Sequence, residues 1–232
     1  ISTFRSLVRF QSAAAIGSET QKANNIVINN CIVHNFADYG VVYNSTTGGF
    51  FGPIKVTKST FYGFGATVFM LQKNATSIDI SDCTFDNVVG TSAKAIVDLS
   101  TLAKPVTITN CILGKTQLAS GGLTIKTGGT LIITNCYKTT DWTANDPTAT
   151  GGITGAFTAY SGASSDLFTT VSVSTAGSPY TTTIGNYKIK DASFVGKNSV
   201  GDPRWYFDTP SNVINPNSAK KIISVQNYDI LG

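Results

Sequence analysis

One methionine and one histidine, His34, stand in 232 residues, and only 13% of the positions are charged. A single histidine rules out a histidine-rich metal cluster and gives a nucleophilic triad little support without another base. No run of 18 apolar residues occurs, so nothing in the chain has the length of a membrane-spanning helix. Nowhere do eleven residues keep a clean helical period, which predicts almost no α-helix. A phosphate-cradling Gly-Lys-Thr loop and a dinucleotide fingerprint are both missing. The net charge of +4 is spread over 17 Lys and Arg with no run longer than Lys220 and Lys221, so the footprint of a nucleic-acid partner is absent. There is no initiating methionine and no signal peptide, and a coil-like LVRFQ already begins at Leu7. The natural protein is therefore expected to extend upstream.

What the chain has is repetition. VINNCI (27–32), VTKSTF (56–61), ISDCTF (80–85), ITNCIL (108–113) and ITNCYK (133–138) are copies of one phrase, and IKDASF (189–194) is a weaker sixth. The anchors Ile28, Val56, Ile80, Ile108 and Ile133 are 28, 24, 28 and 25 positions apart. A period of that size built from β-branched runs means one unit stacked on copies of itself. Strand alternation turns the anchors inward and Asn29, Ser81, Thr109 and Thr134 outward. The bend follows at Asn30, Lys58, Asp82, Asn110, Asn135 and Asp191, a column suited to a left-handed backbone, with Lys58 the misfit. Beyond it a small residue (Cys31, Ser59, Cys83, Cys111, Cys136, Ala192) and a larger one (Val33, Phe61, Phe85, Leu113, Phe194) point inward.

A second family of runs lies between the phrases: LVRFQ (7–11), VVYN (41–44), FMLQ (69–72), VDLS (97–100) and LTIK (123–126). Alternation sends Val8, Phe10, Val41, Tyr43, Phe69, Leu71, Val97, Leu99, Leu123 and Ile125 inward. Arg9, Val42, Met70, Asp98 and Thr124 then face out, followed by Gln11, Asn44, Gln72, Ser100 and Lys126. Each unit closes when the chain arrives roughly 4.8 Å above its start. The expected architecture is all-β, a single-stranded right-handed parallel β-helix of about six to eight coils. A β-sandwich would show turns every 8–12 residues or so without a register-locked Asn-Cys column. The β-helix is expected over 1–205, with 141–186 a long irregular coil or loop insertion, and 206–232 a capping segment whose strand runs from Lys220 to Leu231. Stacked parallel side chains suit bridge geometry badly, so the four cysteines read as free buried thiols.

These coils resemble the pectate-lyase-like superfamily, in which a strand, an Asn corner and a further strand repeat as I-x-N-x-x-φ. The tail KIKDASFVGKNSVGDPRW (188–205), with DLF at 166–168, resembles the carboxyl-terminal signature of β-helical proteins from polysaccharide-utilisation loci of Gram-negative gut bacteria. The resemblance implies secretion to the periplasm or outer cell surface and a connection with plant or host glycans. It also implies a ligand groove along the outward face of one strand column. In the GDPRW run, Pro203, Asp202 and Trp205 read as closing the last coil, with Arg204 pairing Asp202 or Asp208.

Three functions stay open on these residues. The first is a non-catalytic polysaccharide-binding module, directed to acidic, uronate-containing chains, with Arg9, Asn44, Gln72, Ser100, Tyr39, Tyr62 and Trp142 as the binding set. Tyr137, Tyr160 and Trp205 are further corner aromatics able to stack on sugar faces. The second is a polysaccharide lyase acting by β-elimination, which needs a base beside the carboxylate-bearing carbon and neutralisation of that carboxylate. Lys126 is the candidate base and Asp98 its acidic partner, with Asp98 and Asp86 as ligands of Ca²⁺ in that case; the binding module needs no cofactor. The third is an adhesion or spacer solenoid without a groove. Inverting hydrolysis has no paired carboxylates on the outward column. Polysaccharide is the expected partner, nucleic acid and a membrane span are not, and the chain reads as a monomer.

Overall fold

A computed structural model describes residues 6–10, 25–36, 38–43, 52–71, 77–89, 95–99, 104–117, 124–173 and 185–209. Within them the chain is a parallel β-solenoid with three sheets of six strands each. The first sheet stacks β1 (Ser6–Phe10), β4 (Tyr39–Tyr43), β7 (Phe69–Leu71), β10 (Val97–Leu99), β13 (Ile125–Thr127) and β16 (Thr148–Ala149). The second stacks β2 (Ile26–Asn29), β5 (Ile54–Thr57), β8 (Ile78–Ser81), β11 (Val106–Thr109), β14 (Leu131–Thr134) and β17 (Ile153–Thr154). The third stacks β3 (Ile32–Phe36), β6 (Thr60–Phe64), β9 (Thr84–Asp86), β12 (Ile112–Leu113), β15 (Cys136–Lys138) and β18 (Phe157–Ala159).

The phrase copies superpose as their spacing requires. Ile28, Val56, Ile80, Ile108 and Ile133 lie directly over one another, each paired in register with the next. Asn30, Lys58, Asp82, Asn110 and Asn135 all take the left-handed conformation, with φ between 49° and 56°. The side chains of that corner form a ladder: Asn135 Nδ2 donates to Asn110 Oδ1 (2.9 Å), and Asn110 Nδ2 to Asp82 Oδ1 (3.0 Å). Inside, Phe61 stacks on Phe85 with centroids 5.2 Å apart, and every cysteine is a free thiol.

The expectation of six to eight equivalent coils is too generous: about three turns form the fully enclosed body. Val41 of β4 and the inward residues of β5, β7, β8, β10 and β11 in the first two sheets, from Ile54 through Ile108, are 0–1% exposed. The outer rungs are incomplete. Ile153, inward at the last rung by register with Leu131, is 44% exposed.

The sixth copy of the phrase is not a coil. IKDASF contributes to β20 (Asn186–Ile189), which pairs antiparallel with β19 (Phe168–Thr170) outside the solenoid. The last rung is instead built by ITGAF at 153–157, and Gly155, at φ +81°, makes its bend. A Cβ there would collide with the Ile133 carbonyl below, which is why glycine replaces the corner asparagine. Within the long departure expected at 141–186, residues up to Ala159 complete this rung. From Tyr160 the chain leaves it, passes through the short helix α1 (Ser164–Leu167) and runs back over the outer face of the third sheet. The strand expected from Lys220 to Leu231 lies outside the described residues.

Candidate functional site

The outward column of the first sheet comes from strict register. Arg9 pairs with Val42, Val42 with Met70, Met70 with Asp98, Asp98 with Lys126 and Lys126 with Thr148. The alternation reading had set Thr124 level with Asp98 and Lys126 level with Ser100, two residues out of register. Hydrophobic alternation has a period of two and cannot detect a two-residue slip. Lys126 is exposed while Asp98, directly beside it, is 7% exposed. Opposite charges directly across neighbouring strands attract each other.

The other expected binding residues divide three ways. Asn44, Gln72 and Ser100 lie outside the described residues, as does the Arg9 side chain. Tyr39 is half-buried at the start of β4. Tyr62 and Trp142, expected at exposed corners, are both buried. Tyr62 lies beneath Tyr187, with centroids 5.3 Å apart, and Trp142 closes the solenoid core with its Nε1–H donating to Thr124 Oγ1 at 3.0 Å. Neither ring is offered to a sugar. His34 is partly buried and stacked on Tyr62, and that burial lowers its pKa.

Asp98 and Asp86 do not converge. Asp98 belongs to β10 in the first sheet, Asp86 to β9 in the third, and the latter is fully buried beneath the returning chain. Among the described residues no three His, Cys, Asp or Glu side chains gather where a metal ion would be held. Asp86 has another kind of environment. Its Oδ1 accepts from the Lys115 N–H (2.8 Å) and Ser164 Oγ (3.0 Å), and its Oδ2 from Tyr187 Oη (3.1 Å). Burial pushes the carboxyl up to about 6, opposed by the Lys115 N–H and charge and by the Ser164 and Tyr187 hydroxyls.

The GDPRW run lies flat along the side of the solenoid rather than over its last coil. Trp205 Nε1 donates to Thr60 Oγ1 (2.7 Å), the Asp202 N–H donates to Thr84 Oγ1 (3.1 Å) and the Gly201 N–H to the Asn110 carbonyl (2.7 Å). Arg204 reaches Asn30 Oδ1 (2.9 Å) and the Lys58 carbonyl (3.2 Å) while pairing with Asp202 at 3.1 Å. Of its two anticipated acidic partners, Arg204 thus takes Asp202. Tyr137 and Tyr160 pack edge-on against Phe194, and Tyr160 Oη donates to Asp191 Oδ2 (2.7 Å). The corner aromatics of this side thus fasten the returning segment. Periodicity had no signal for that, because their partners lie up to about 145 residues away in the chain.

No curated protein and no solved structure matches the chain. Residues 78–205, more than half of the 232, match the family described as Domain of unknown function (DUF5123), from the third rung to the last anchor of the returning segment. The chain belongs to that family.

Proposed function

We propose that this chain is a pectate-lyase-like β-helix that binds acidic polysaccharide outside the cytoplasm, as a non-catalytic module of glycan utilisation. The supporting observation is the register of Asp98 with Lys126: an exposed ammonium beside a nearly enclosed carboxylate, flanked by Met70 and Thr148. A uronate carboxylate meets the lysine, and its neighbouring hydroxyls meet the aspartate and threonine oxygens. The GDPRW tail adds the resemblance to glycan-utilisation proteins. Its residues serve the returning segment, so this reading asks no ligand contact of them.

A panel of uronate-containing and neutral polysaccharides in affinity gels tests the reading. The expected result is retardation on an acidic chain, weakened about tenfold in Lys126→Gln through loss of one charge-assisted contact, with no unsaturated product. Absence of retardation on every acidic chain overturns it. The same adjacency favours a second reading, β-elimination with Lys126 as base. Ultraviolet-absorbing product that disappears in Lys126→Ala would establish that reaction in its place.

A further inference from the structure

The described residues 160–173 and 185–209 form a strap, and its contacts with the solenoid run from the Lys138 carbonyl, which accepts from the Tyr160 N–H (2.8 Å), to Asn30 at the first rung. Most of what joins it to the third sheet is apolar: Leu167, Phe168, Ile189, Phe194, Val200 and Trp205. One fully buried acid interrupts that interface. Asp86 projects from β9 into the strap and is held there by Ser164 of α1, Tyr187 of β20 and the Ser172 hydroxyl, which lies 3.5 Å from its Oδ2. Tyr187 Oη and Ser172 Oγ also lie 2.9 Å apart, within hydrogen-bond distance of each other. Gly114, on the neighbouring rung, leaves room for this cluster, since a Cβ there would run into Asp86 Oδ1 and Ser164 Oγ.

The surrounding groups decide which charge state suits the closed strap. From the solenoid side Asp86 faces the Lys115 backbone N–H and its ammonium, with Tyr62 behind Tyr187. From the strap side it faces only hydroxyls, and each of these is able to accept a proton as well as donate one. Asp141 stands one bond further off, accepting from the Ser164 N–H (3.0 Å) and Thr139 Oγ1 (2.6 Å). No cation of the strap contacts Asp86 among the described residues. Asp202, the other buried acid of the interface, differs in lying against a cation: Thr60 Oγ1, the Arg204 N–H and Arg204 Nε all donate to it, while burial pushes its carboxyl up to about 6 as well, opposed by the Arg204 charge.

We infer that the strap is a proton-operated latch, closed most firmly when Asp86 carries a proton and loosened when Asp86 is ionised beneath it. Lifting the strap returns Asp86 to water and uncovers Tyr62, Ile112 and Tyr137 on the third sheet. The latch is independent of the glycan reading and uses none of its residues. A carboxyl raised to about 6 in the closed form binds its proton more tightly there than in water. Its contribution to closure is therefore complete below the open-form value of about 3.9 and is lost as pH rises through about 6.

Amide hydrogen exchange of the whole protein, corrected for the intrinsic effect of pH, tests this. The strap amides of Gly201 and Ser164, which donate to the Asn110 carbonyl and to Asp141 Oδ1 of the solenoid, report opening, and the solenoid amides of Val106 and Leu131 serve as the internal reference. Between pH 4 and pH 7 Asp86 alone is expected to raise the opening constant of the strap roughly 50-fold, while the reference amides do not follow. Asp86→Asn should remove that share of the rise, and Asp202→Asn, which leaves Asp86 in place, should keep at least that share. If Asp86→Asn does not fold, Tyr187→Phe supplies the test, because losing a donor to the carboxylate moves the midpoint upward. A flat wild-type profile overturns the latch, as does a rise that is undiminished in Asp86→Asn, is abolished by Asp202→Asn, or keeps its midpoint in Tyr187→Phe.

Discussion

At Asn110 three demands meet in one residue: φ is 51°, the side chain bonds to both neighbouring rungs, and the carbonyl accepts the Gly201 N–H. Asn110→Ala keeps the carbonyl but puts a Cβ-bearing, non-bonding side chain into a left-handed bend. It is expected to cost about 2–3 kcal/mol in urea denaturation. Asn110→Gly loses the ladder but not the bend and is expected to cost about 1 kcal/mol less. Lys58 shows that the bend is set by the stack and not by the side chain alone. It adopts φ 49° with no ladder bond of its own, and its carbonyl takes a bond from Arg204. Gly201 is tighter still, at φ +81° with the Ile112 side chain and Thr84 Oγ1 each 2.9 Å from where a Cβ would sit. Gly201→Ala is expected to destabilise by about 1–3 kcal/mol and to loosen the strap before the solenoid, as exchange would show.

Among elements, the cysteine column and the strap carry the clearest expectations. Cys83, Cys111 and Cys136 are enclosed, and Cys31 is half-buried at the end of the column, separated from Cys83 by Ser59. Burial raises the pKa of the Cys31 and Cys111 thiols, and that of Cys136 is raised first by its neighbour Cys111. Thiol labelling of the folded protein should therefore modify Cys31 slowly and the other three only on unfolding. In the strap, Trp205 combines a buried ring, its bond to Thr60 and an edge contact with Tyr187. Trp205→Ala is expected to cost about 3–5 kcal/mol, read as a lowered denaturation midpoint. The column was legible in the sequence because its members recur at one position of the repeat. The burial of Tyr62 was not, since it depends on Tyr187, far away in the chain.

For the molecule as a whole, burial that falls off toward the last rung predicts unequal sensitivity along the axis of the stack. Ile108 is fully enclosed in the middle of the second sheet, whereas Ile153 at the last rung is 44% exposed. Ile108→Ala should cost about 2–5 kcal/mol and Ile153→Ala under about 1 kcal/mol, measured by the same urea titrations.

By itself the sequence determined the parallel solenoid, its inward columns and its corner, because these arise from contacts between equivalent residues about 25 positions apart, which leave a period in the chain. The slip of Lys126 onto Asp98 escaped it, since side-chain alternation repeats every two residues and two registers fit equally well. So did the replacement of IKDASF by ITGAF as the last coil, where a glycine does the work of asparagine. Only the tertiary structure decided which outer face is covered, because the strap meets the third sheet through single, non-repeating contacts between distant residues. Asp86, an ordinary outward residue by alternation, became a buried acid for that reason alone.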